Sequence, residues 1–310
     1  MKNFLITMVF IAATSCAEQH ENHTSPNPTT NEPPHQNDPD NSGDNPGDSE
    51  QDQDSQTDKT GSIPPVPDED NWTPPTGQTL VWSDEFNGTH IDLSNWGYDV
   101  GAWPYNGEAE YYTDNGTGGP NAYVANGALV IKAFPENMGG RSYTSARLKT
   151  QGKKSWQYGT VVAKMKLPYG KGLWPAFWML GTQDDNWPNC GEIDIMELVG
   201  GGKNDNVITA AMHWGESTAS HQKTPPTWFD APSPPSQDWH YYEMNWDANA
   251  VVIKFDGTEF FRKEIAQLPY FHQPFFIILN VAVGGNWPGY PDDTTVFPQT
   301  MTIDWVRVYQ

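Results

Sequence analysis

Residues 79–310 are predicted to form an all-β domain, a sandwich or barrel, on three observations. Short runs with alternating or continuous apolar patterning recur along this stretch. Clusters of Gly, Pro, Asn and Asp separate them. Helical periodicity is scarce between them, which argues against a parallel α/β sheet. A stretch of this length can bury one large core.

The runs follow in order. LVWSDEF (80–86) opens the domain, and ALVIKAF (128–134) follows the turn pair Asn126-Gly127. GTVVAKMKL (159–167) sets Val161, Ala163, Met165 and Leu167 against Val162, Lys164 and Lys166. VVIKFDGTEFF (251–261) reads as two strands joined at Asp256-Gly257, a favoured tight-turn pair. FFIILNVAV (275–283) is continuously apolar apart from Asn280, as expected for a strand in the middle of a sandwich. MTIDWVRVY (301–309) alternates again. Residues 215–237, rich in Pro and Ser with Trp228 and Phe229, read as a loop bordering the site. No internal repeat is seen.

The chain ahead of this domain differs in kind. MKNFLITMVFIAATSC (1–16) has one Lys, an apolar run too short to span a bilayer, and small residues ending at Cys16. It reads as a lipoprotein signal peptide, with Ala13-Thr14-Ser15-Cys16 as the lipid box and Cys16 as the lipidated residue. Residues 17–78 hold fourteen acids and one Lys and few large apolar side chains. Such a segment cannot bury enough surface to order itself, so it is predicted to be a disordered acidic linker. The expected location is outside the inner membrane, as an outer-membrane lipoprotein held by its lipid anchor alone, with Glu18 and Glu21 pointing weakly to export. The whole chain carries a net charge of −22, and the folded part stays acidic without the linker. That argues against a nucleic-acid partner and suits a neutral polymer. With Cys16 lipidated, Cys190 has no partner, so no disulfide framework is expected.

The chemistry concentrates in GEIDIMELVG (191–200). Glu192, Asp194 and Glu197 are separated only by apolar residues. A helix would scatter the three acids. A regular strand would put Glu192 and Asp194 on one face and Glu197 on the other. A single-residue bulge between Asp194 and Glu197 restores parity and gathers all three, leaving Ile193, Ile195 or Met196, and Leu198 for the core. Like charges side by side on a strand are destabilising, which makes a purely solvated surface strand a poor explanation. Retaining glycoside hydrolysis needs two carboxyl groups about 5–5.5 Å apart, one ionised and one protonated. A metal centre is the competing reading, but clustered His ligands are missing from this stretch. Of the fourteen Trp, thirteen lie in the domain. Trp103, Trp174, Trp178, Trp187, Trp214 and Trp287 sit beside Gly or Pro or in polar loops and are candidates for stacking on sugar rings, with core filling as the alternative.

GEIDIMELVG, with GLWPAFWMLG before it and AVGGNWPGYPDDT and IDWVRVYQ after it, strongly resembles glycoside hydrolase family 16, nearest the bacterial laminarinases, over about Leu80 to Gln310. The resemblance implies a β-jelly-roll sandwich of two antiparallel sheets with an open concave cleft, a retaining mechanism without a catalytic cofactor, a β-glucan polysaccharide as partner, and a monomer. By position it implies Glu192 as nucleophile, Asp194 as assisting acid and Glu197 as general acid/base. It places Trp174 and Trp178 along the donor side, Arg147 in the cleft and His213 near the leaving-group side; Asn106, Trp187 and Trp287 complete the expected substrate contacts. In WPYNGEAEYYT the family pattern N-N-E-L-Q-Y-Y-T is broken at Gly107 and Glu110, which puts sugar contacts there in question. Glu85, the Gly127 carbonyl and Asp304 resemble a structural Ca²⁺ site on the far face, where oxygen ligands suit that ion. Cys16→Ala is expected to release the protein from the membrane fraction; retention there would reject the lipid anchor.

Overall fold

The computed structural model describes residues 70–310, apart from 104, 115–120, 184–185 and 226. The signal segment with Cys16, and the linker as far as residue 69, lie outside the described residues. What is described is a jelly roll of two sheets, with three short 3-10 turns. Among the described residues no helix is long and apolar enough to cross a membrane.

One sheet has eight strands. Its order is β12 (Gln222–Lys223), β11 (Val207–Trp214), β10 (Glu192–Leu198), β9 (Leu173–Gly181), β17 (Phe275–Val283), β7 (Arg147–Lys149) and β2 (Gly97–Asp99), with β13 (Thr227–Asp230) also on β11. The other has ten. Its order is β16 (Thr258–Glu264), β15 (Ala250–Phe255), β14 (His240–Trp246), β8 (Gly159–Lys166), β18 (Gln299–Tyr309), β5 (Ala128–Met138), β6 (Arg141–Ser145) and β3 (Glu110–Tyr112). There β1 (Leu80–Asp84) pairs with β18 and β4 (Ala122–Ala125) with β5. Pairing is antiparallel except between β3 and β6, which run parallel.

Local chemistry accounts for the joints. Asn126-Gly127 and Asp256-Gly257 join β4 to β5 and β15 to β16, and all four residues have positive φ. Both pairs therefore make the two-residue turn whose twist matches the flanking strands. The apolar run at 275–283 is β17, buried along its whole length between β9 and β7. Ile277, Leu279, Val281 and Val283 enter the core between the sheets. Phe276 and Ile278 face the other way and pack with Leu180, Trp187 and Cys190. Cys190 is thus a small buried residue in the apolar floor beside Glu192.

Two boundaries differ from expectation. Residues 215–237 are not all loop, since β12 and β13 both pair with β11. Phe229 packs against Phe255 and Phe260 of the opposite sheet, a long-range partnership the local composition does not encode. The linker is expected to run to residue 78, yet Asp70, Asn71 and Trp72 are held against the ten-stranded sheet. Trp72 lies on Tyr309 and Trp305, and its indole N–H donates to Glu243 at 2.8 Å. Asp70 pairs with Arg307 at 2.6 Å, and Thr79 exchanges backbone hydrogen bonds with Gln310. Trp72→Ala is expected to remove about 1–2 kcal/mol of burial and ring contact. For a domain of this size that lowers the thermal midpoint by roughly 3–6 °C, measurable by calorimetry.

Candidate active site

The site is built on the outer face of the eight-stranded sheet, and β10 sets its plan. Glu192 opposes His213 and Asp194 opposes Ala211, but Glu197 opposes Thr209. Three steps on β10 therefore match two on β11, which is a bulge. Ile193, Ile195, Met196 and Leu198 all enter the core, so the apolar residues take one side and the acids the other. Gly191 leads into β10 at φ 73°, and a Cβ there would lie 2.9 Å from the Tyr270 carbonyl oxygen. Only glycine suits that turn.

Cross-strand register then assembles the surroundings. Directly opposed residues share a face, so one line crosses seven strands: Asp99, Arg147, Asn280, Ala176, Glu197, Thr209 and Trp228. Arg147 is held by Asp99 at 2.9 Å, and its guanidinium lies 4.7 Å from the Trp178 ring and 5.4 Å from that of Trp103. Trp178 donates its indole N–H to Asn280 at 2.8 Å. Asp99 and Asn280 were not anticipated. Asn280 had a signal, being the one polar residue in FFIILNVAV; Asp99 had none.

Aromatic N–H groups hold the two outer acids. Trp187 donates to Glu192 Oε2 at 2.9 Å, and Trp174 donates to Glu197 Oε1 at 2.9 Å. Asp194 hydrogen-bonds to Glu192. His213 Nε2 lies 3.4 Å from Asp194 and 3.9 Å from Glu192, so β11 supplies the histidine that the local sequence lacked. Burial pushes the Glu192 carboxyl up to about 7, and the neighbouring Asp194 adds to the rise. Burial likewise raises Asp194 to about 8, with its hydrogen bond to Glu192 pulling the other way. Burial, then the charge of Asp194, holds Glu197 well above the ordinary carboxylate range. Such a set retains a proton on part of the trio near neutral pH while Glu192, at about 7, can still ionise.

Residues 111–307 match the model of glycosyl hydrolases family 16. The chain belongs to that family. It is 38% identical over 244 residues to the clotting factor G alpha subunit of Tachypleus tridentatus, covering 74% of this chain and 34% of that protein. It is 38% identical over 254 residues to a beta-glucanase of Rhodothermus marinus, covering 74% of this chain and 85% of that one. The solved laminarinase catalytic domain of Thermotoga maritima MSB8 is similar at 41% identity and TM-score 0.68, over 75% of this chain and 98% of that one. The chain thus spans about a third of the first relative and nearly all of the solved domain. Glycoside hydrolysis by a pair of carboxyl groups needs no catalytic cofactor.

The remaining aromatic residues divide by role in this family 16 site. Trp214 is core, edge-on to Phe271, and offers no face to a sugar. Trp174 and Trp187 are nearly buried and act through their N–H groups. Trp287 stands edge-on to Trp174 at 5.1 Å and near Trp228 at 6.2 Å. Trp287 and Trp228 line a cavity of about 470 Å³ with Val199, Asn204, Val207 and Asp230. Asn106 adopts φ 58°, and its carbonyl accepts the Asn286 N–H at 2.7 Å, docking the loop that carries Trp287. Its side chain donates to Glu108 at 3.0 Å, and its buried Oδ1 has no protein partner. The break at Glu110 does not touch the sugar path: the side chain is 1% exposed and accepts the Val283 N–H at 2.7 Å. At Gly107, Tyr290 donates its hydroxyl to the carbonyl at 2.8 Å.

The proposed calcium ligands do not fit that ion. Both oxygens of Glu85 are taken by Arg307, at 2.9 and 2.8 Å, and Asp304 pairs with Lys164 at 2.9 Å. Cations already neutralise both acids, so a divalent ion would have to displace two ion pairs. Among the described residues, three His, Cys or carboxylate side-chain ligands converge at Glu192, Asp194 and His213. There the indole donor at Glu192 and the hydrogen bond between Glu192 and Asp194 suit carboxyl chemistry and not a cation. Chelation with EDTA is expected to leave the melting temperature unchanged, whereas Lys164→Met, which strands Asp304, should cost about 3 kcal/mol. A drop in melting temperature on chelation would restore the calcium site.

Proposed function

We propose that this chain is a retaining endo-β-1,3-glucanase that cleaves internal bonds of laminarin-type glucans. The observation that carries the reading is the trio Glu192, Asp194 and Glu197 on one face of β10, with an aromatic N–H on each outer acid. The family supports hydrolysis, and the glucanase relatives support the polymer.

Each acid has a distinct task. Ionised Glu192 attacks the anomeric carbon while protonated Glu197 gives its proton to the departing glycosidic oxygen. The C–O bond breaks and a glycosyl ester forms on Glu192. Glu197, now ionised, takes a proton from water, and the oxygen of that water attacks the same carbon from the opposite side. Two inversions leave the configuration retained. Asp194, keeping its proton, hydrogen-bonds to Glu192 and spreads its charge as it becomes a leaving group. Arg147, Trp178, Trp103 and Asn106 are the donor-side contacts, and Trp287 and Trp228 the aromatic surface beyond Glu197. Every side chain comes from one chain, which a monomer suffices to supply. A lipid anchor at Cys16 would tether the enzyme to the outer membrane beside a polymer too large to enter the cell.

Glu192→Ser is expected to lose nearly all turnover without unfolding. Glu197→Gln should cripple laminarin hydrolysis yet spare ester formation from aryl glycosides, whose leaving groups need little protonation. On aryl glycosides that variant should also lose the basic limb of the pH profile. The acid limb should remain, because Glu192, with its proton held up to about 7, must still ionise. Reducing-sugar assays on laminarin, lichenan and agarose test the polymer, and a time course on laminarin tests the internal cut. Activity confined to agarose would reject the β-1,3-glucan reading.

A further inference from the structure

A second histidine reaches the acids indirectly. His221 follows the 3-10 turn Thr218–Ser220, in which Ser217 and Ser220 cap each other. The chain returns from that turn into β12, which pairs Gln222 with Trp214 and Lys223 with His213. This return sets His221 Nε2 2.9 Å from His213 Nδ1, with the two rings 7° from parallel. The Trp187 ring lies 4.6 Å from the His221 ring on another side. His221 therefore touches two of the residues that reach Glu192: Trp187 by its indole N–H and His213 by Nε2.

We propose that His221 is a positioning residue of the catalytic site, fixing His213 in the tautomer that aims an N–H at Glu192 and Asp194. This rests on the reading of Glu192 as nucleophile. A neutral imidazole carries one N–H. When His221 donates from Nε2 to His213 Nδ1, the His213 proton must sit on Nε2, facing the acids. The opposite tautomer would turn a lone pair toward two carboxyl groups. The acids favour the same tautomer from the Nε2 side, and His221 fixes it from the Nδ1 side. The titratable and charged groups around His221 are His213 on β11, Lys223 on β12 and, beyond His213, Glu192 and Asp194 on β10; Trp187 adds an uncharged ring. Burial, and after it neighbouring positive charge such as Lys223, holds the His221 proton affinity down to about 4, so the ring is neutral near neutral pH.

The N–H at Nε2 favours ionised Glu192, so its loss should make Glu192 harder to ionise. The test compares His221→Phe, which keeps a ring without a donor, with His221→Gln, whose amide N–H can replace Nε2–H. The readouts are kcat, KM and the pH profile on laminarin. His221→Phe is expected to lower kcat about tenfold with KM within about twofold, and to move the acid limb of kcat/KM to higher pH. His221→Gln should restore at least about half of kcat and the original limb. His221→Ala repeats the comparison if the phenylalanine variant fails to fold. Wild-type kcat and profile in the Phe and Ala variants would overturn the proposal. Equal losses in Phe and Gln with an unmoved profile would also overturn it, showing packing alone. Trapping the wild-type ester with a 2-fluoro glycoside separates the two readings. A label away from Glu192 rejects the nucleophile, whereas a label on Glu192 with an indifferent His221→Phe rejects only the role of His221.

Discussion

One extra residue in β10 is the constraint on which the site depends. Side chains on a strand alternate, so an i, i+2, i+5 spacing cannot share a face without a bulge. The bulge between Asp194 and Glu197 lets four apolar side chains hold β10 in the core while three acids face outward. Because neighbouring strands are in register with β10, the same residue count also decides who meets the acids. His213 falls beside Glu192 and Thr209 beside Glu197. A one-residue slip would put the acids into the core and Ile193 into solvent.

The catalytic trio and the acids of the far face have different partners. On the far face they are met by full positive charges: Glu85 by Arg307, Asp304 by Lys164 and Glu243 by Lys254. Through Glu85 and Asp70, Arg307 ties the start of the domain to its last strand. At the catalytic face the partners are indole N–H groups and an imidazole. A neutral donor orients a carboxyl without forcing it to ionise. An arginine at hydrogen-bond distance from Glu197 would keep it charged and unable to give up a proton. The one guanidinium of this region, Arg147, is committed to Asp99 and stacked on two indoles.

Much of this was legible in sequence because it is local. Turn pairs with positive φ, the buried run at β17 and the parity of GEIDIMELVG all follow from neighbours in the chain. The misses are the long-range ones. Residues 227–230 became a strand because β11 offered an edge and the far sheet offered Phe255 and Phe260 to Phe229. Trp72 left the expected linker because Trp305 and Tyr309 lay exposed to receive it. Glu85 and Asp304 looked like ion ligands until Arg307 and Lys164 were seen to reach them.

By itself the sequence determined the all-β class, the three acids and the need for a bulge, since periodicity and spacing are properties of a few adjacent residues. Only the tertiary structure decided which groups surround those acids: Asp99 under Arg147, the two indole donors, and His221 behind His213. These partners come from separate strands and loops and meet only when register aligns them. The burial that raises the acids is likewise a property of the assembled sheet. No single segment can set its own dielectric surroundings.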